Sequence, residues 1–94
     1  MPEIEALCNG LKEKSETLTY SDVQRELENA GFVLDEYGGG HYGNPYAIFV
    51  HPCGIVVDVE YTFNKVRGTK DSWLAGQITA FGWVNDPNYH RHCA

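Results

Sequence analysis

Several things are scarce in this chain, and each scarcity removes a class of protein. No run of ~18 apolar residues occurs, so no membrane-spanning helix is written into it. The opening MPEIEALC is acidic where a secretory leader is basic, and no targeting motif follows; the expectation is a soluble, cytoplasmic chain with no membrane partner. Cysteine is limited to Cys8, Cys53 and Cys93, odd in number and without a CxxC pair, which argues against a disulfide framework and a zinc knuckle. Positive charge is short as well: 7 Lys and Arg face 13 Asp and Glu, a formal net charge of −6. That balance repels phosphate backbones at long range and favours encounter with basic surfaces. Repeats and low-complexity tracts are missing, and neither a cofactor nor a metal is expected.

What remains is enough for one compact domain: 94 residues, 43% of them hydrophobic and 21% charged. In residues 2–14, Ile4, Leu7, Cys8 and Leu11 recur at i, i+3, i+4 and i+7, a helical stripe opened by Pro2. Thr19-Tyr-Ser-Asp22 matches a capping box and predicts a second helix, with Val23, Leu27 and Ala30 on one face and Gly31 as its terminator. Phe32–Tyr37 and Tyr46–Val50 are rich in aromatic and branched residues and flank a Gly-rich loop, as two hairpin strands would. After a Cys53-Gly54 turn, Ile55, Val57, Val59, Tyr61 and Phe63 alternate with polar positions that include Asp58 and Glu60, predicting a third strand with one wet face. Leu74, Ile78 and Phe81, at i, i+4 and i+7, predict a last helix from about Ser72 to Gly82.

The expected fold is therefore α+β, a two-layer sandwich in the order α-α-β-β-β-α, with a three-stranded antiparallel sheet and helices on one face. Residues 1–18 form an N-terminal helix and connector, 19–84 the main domain, and 85–94 a flexible tail.

The stretch YSDVQRELENAGFVLDE, the triplet Gly39-Gly40-His41, the turn His51-Pro52-Cys53-Gly54, the strand IVVDVEY and the segment KDSWLAGQITAFGW together resemble the HicA-type toxins. The resemblance covers roughly Tyr20 to Trp83. Those toxins have a double-stranded-RNA-binding-like fold, cut messenger RNA and are silenced by a partner antitoxin. It implies that His41 is the catalytic general acid/base, with Gly40 standing where the family has serine, and that RNA or a cognate antitoxin is the partner.

Read from the residues alone, His41 either serves proton transfer near neutral pH or is a solvated histidine after glycines chosen for their backbone freedom. Lys65, Arg67 and Lys70, beside Trp73, form the one local basic cluster and a candidate RNA contact, or a plain solvated loop. His51 ends a strand before a proline and is either a second acid/base group or a structural residue. Asp58 and Glu60 share a strand face and His90, His92 and Cys93 alternate in the tail, so either set offers metal donors, against the simpler readings of a wet sheet face and a frayed terminus. Tyr37, Tyr42 and Tyr46 cluster around the Gly-rich loop with Asp35 and Glu36 beside them, a composition that resembles protein-binding paratopes.

Two functions of different class follow. One is a HicA-like RNA-directed protein, an endoribonuclease acting through His41. The other is a catalytically silent, acidic inhibitor, encoded for instance by a phage or mobile element, that mimics nucleic acid in a basic groove of a partner protein. Asp22, Glu26, Glu28, Asp35, Glu36, Asp58 and Glu60 would then stand for phosphates. A third expectation is a homodimer formed through the Ile4–Leu11 stripe.

Overall fold

The computed structural model describes residues 2–39, 45–62 and 76–83. Helix α1 (Pro2–Glu13) buries Ile4, Cys8 and Leu11, the positions that a 3.6-residue period brings to one side. This stripe is part of the chain's own core. A short 3-10 turn, Ser15–Thr17, leads to α2 (Tyr20–Asn29).

Both ends of α2 are built as the sequence dictates. The Thr19 hydroxyl accepts from the Asp22 N–H at 3.3 Å and the Asp22 carboxylate accepts from the Thr19 N–H at 3.1 Å, a reciprocal capping box. These bonds, the one from the Thr19 backbone foremost and with Arg25 adding to them, hold the Asp22 carboxyl below the usual carboxylate range. At the exit the Gly31 N–H donates to the Glu28 carbonyl and the Phe32 N–H to the Leu27 carbonyl, both at 3.0 Å. That pair of bonds defines a Schellman motif, and Gly31 takes the left-handed φ of 99° it needs.

Strands β1 (Val33–Gly38), β2 (Tyr46–Val50), β3 (Val56–Tyr61) and β4 (Ile78–Trp83) form an antiparallel meander in that order. The fold is α+β as expected, but the sheet has four strands, not three. Of the segment expected to be the last helix, Ile78–Trp83 is strand β4, paired with β3 from Val57↔Trp83 to Tyr61↔Ile78. The helical spacing has a local cause: the register shifts between Glu60 and Tyr61, so Thr79 is an extra residue. This bulge turns Ile78 and Phe81, three apart, to the same side.

One sheet face carries the row Ala47, Phe49, Val57, Val59, Tyr61, Phe81 and Trp83, packed against Ile4, Cys8, Leu11, Tyr20, Val23 and Leu27 of the helices. On the opposite face Ile48 and Asp58 are cross-strand partners and both are buried, Asp58 only 4% exposed. The expectation of a wet face is therefore corrected at Asp58, while Glu60 is half-buried.

The helical layer and the sheet meet along a hydrogen-bonded seam. The Tyr20 N–H donates to Gly76 O at 2.8 Å and the Ile78 N–H to Leu18 O at 3.3 Å, framing a bridge between Thr19 and Gln77. The Gln77 side chain donates to Glu16 O at 2.8 Å, and the Thr62 N–H to Gln77 O at 2.9 Å. No helix among the described residues is long and apolar enough to cross a membrane.

Candidate functional site

A cavity of about 520 Å³ opens between α2 and the edge strand β1. Helix α2 supplies Tyr20 and Gln24 from its first turns, β1 supplies Leu34, Tyr37 and Gly38, and Gly39, Pro45 and Tyr61 complete the wall. The β1 contribution depends on a bulge. Leu34 pairs with Phe49 and Glu36 with Ile48, so Asp35 is the extra residue, and Leu34 and Tyr37 point to one side although they are three apart.

At the floor the rings of Tyr20 and Tyr61 lie 4.3 Å apart at 32°. Tyr20 is buried, and desolvation, followed by Tyr61 and then the charge of Glu28, pushes its pKa up; burial does the same at Tyr61. Both hydroxyls therefore stay neutral at physiological pH. Tyr37 stands at the rim, 75% exposed. Among the described residues, none that lines this cavity is charged. The Oε1 of Gln24 is buried there without a hydrogen-bond partner.

A second, more open cavity of about 280 Å³ shares Gln24 with the first and is lined by Ser21, Arg25, Glu28 and Asn29 as well. Arg25 is bound to Asp22 at 3.1 Å rather than to Glu28. Glu28 lies one helical turn beyond Gln24 and is exposed, as are Glu26 and Asp35.

The sequence-predicted groups fare unevenly. Asp35, Glu36 and Tyr37 are consecutive on β1, but Glu36, the partner of Ile48, lies on the sheet face opposite Tyr37, as does Tyr46, whose ring lies over Gly38. His41 and Tyr42, the basic cluster Lys65, Arg67 and Lys70, Trp73, and the tail with His90, His92 and Cys93 lie outside the described residues. Among the described residues no group of three His, Cys, Asp or Glu could hold a metal ion.

His51 is engaged by the backbone at both ring nitrogens. Its Nε2 is 3.1 Å from Ala30 O and its Nδ1 is 3.0 Å from the Cys53 N. A carbonyl only accepts and an amide N–H only donates, so in this pairing Nε2 is the donor and Nδ1 the acceptor. It ties the end of α2 to the β2–β3 turn, and its ring packs 5.0 Å from that of Phe32. This is the structural role of the two proposed for it.

Sequence reading missed Tyr20, Gln24, Leu34, Pro45 and Tyr61 as members of one site. Tyr20 and Tyr61 carry the signature of core residues, and only the tertiary fold brings them beside the edge strand. The chain matches no family model, no curated protein and no solved structure.

Proposed function

We propose that the protein is an acidic binding module that engages a basic partner protein through the face shared by α2 and β1. The observation that carries this reading is the tyrosine-walled cavity with exposed Tyr37 at its lip, on two elements that also carry exposed acidic residues, Glu26 and Glu28 on α2 and Asp35 on β1. The whole-chain charge of −6 acts in the same direction, speeding encounter with a basic surface. Two members of the sequence-derived phosphate-mimic set play other parts: Asp22 is committed to the helix cap and Arg25, and Asp58 is buried.

A second reading, RNA cleavage by His41, is favoured by one observation: Gly39, two residues before this histidine, takes a left-handed φ of 91°. Glycine adopts that backbone conformation without the steric cost a side chain brings.

One experiment separates the two. A polylysine probe should bind the purified protein with an affinity that falls at least about tenfold between low and moderate salt, and RNA should be neither bound nor cut. Binding indifferent to ionic strength would sink the acidic-module reading. RNA cleavage that disappears in His41→Ala would replace it with the nuclease.

A further inference from the structure

We propose that the tyrosine-walled cavity is the anchor pocket for an arginine side chain of the basic partner. This rests on the acidic-module reading and names the chemistry of its central contact. The pocket has an apolar, aromatic inner part, formed by Tyr20, Leu34, Tyr37, Pro45 and Tyr61, and its wall residue Gln24 also lines a second hollow that carries Glu28, one helical turn on. An arginine has the same two parts in the same order: an apolar stem and a planar cation that stacks on aromatic rings.

Each end of the pocket has a use for this ligand. The stem lies against Leu34 and Pro45 while the guanidinium passes over the tyrosine faces, where a weakly hydrated cation is attracted by the ring quadrupole. Beyond Gln24 it meets the Glu28 carboxylate, which Arg25 leaves open by binding Asp22. A turn of the Gln24 amide about its terminal torsion gives its Oε1, buried without a partner, one of the five guanidinium N–H donors. A lysine offers neither the plane to stack nor the fork to reach Gln24 and Glu28 together. An anion is repelled by Glu28 and by the overall charge of −6.

The test uses the full chain and three short lysine-flanked peptides that differ only in a central arginine, lysine or citrulline, with affinities measured by calorimetry at low salt. The arginine peptide should bind about five- to tenfold more tightly than the other two. Tyr37→Ala and Glu28→Gln should each remove most of that preference. Both positions are exposed, so thermal melts of the variants should match the parent and exclude misfolding. Equal binding of all three peptides, unaffected by Tyr37→Ala, would overturn the arginine pocket and leave the basic-partner reading standing. Failure of every peptide to bind would overturn both.

Discussion

At Gly31 two independent demands meet. Its φ of 99° is in the left-handed region, and a Cβ placed on it would come within 3.2 Å of His51 Nε2. The ring cannot retreat without giving up its bonds to Ala30 O and the Cys53 N–H. Gly31→Ala should therefore cost about 1–3 kcal/mol in a denaturant melt, more than the backbone strain alone explains. A loss of only a few tenths would show that the His51 contact yields freely. The glycine was legible in the sequence as a helix terminator; the histidine above it was not. The two residues lie far apart in the chain, and only the β2–β3 turn brings them together.

Among the elements, those with a local signature were readable and those shaped by a neighbour were not. Both helices were legible because α1 has an uninterrupted apolar stripe and α2 has a cap at each end. Strands β1, β2 and β3 were legible too, the first two from their aromatic and branched residues and β3 from its alternating apolar positions. The strands that end the sheet, β1 and β4, each carry a bulge, at Asp35 and Thr79, and a bulge changes a two-residue repeat into a three-residue step. In β4 this step reproduced a helical spacing. The same device in β1 brings Leu34 and Tyr37 to the candidate pocket, so the irregularity that hid one element also builds the site. Entry to β4 allows one further prediction: a Cβ on Gly76 would run into the Thr62 carbonyl oxygen, which is backbone and cannot rotate away. Gly76→Ala should destabilise the fold by roughly 2 kcal/mol or more and lower the melting temperature by several degrees. An unshifted melt would disprove the close approach of β3 and β4 at this point.

For the molecule as a whole, alkaline pH is the weak side. The buried Cys8 thiol is pushed up from its ordinary 9.0 to about 11, by burial first and then by Cys53 and Glu5, and burial raises Tyr20 as well. The folded chain keeps these protons at a pH where the unfolded chain has lost them. Stability should thus be level below the ordinary thiol value and fall as pH rises through about 11, by on the order of 2 kcal/mol from Cys8 alone. Denaturant melts across that window check the slope, and Cys8→Ala should flatten it; a flat profile in the parent would show that the thiol is solvated.

The seam between the layers also governs how the protein opens. Tyr20 donates into the segment before β4 and Ile78 donates back to Leu18, so each layer holds the other's backbone. The helices cannot lift from the sheet while these amides remain bonded, and β4 cannot peel away alone. Tyr20 and Ile78 should then exchange their amide protons in one shared event, the motion of a clasp and not of two leaves.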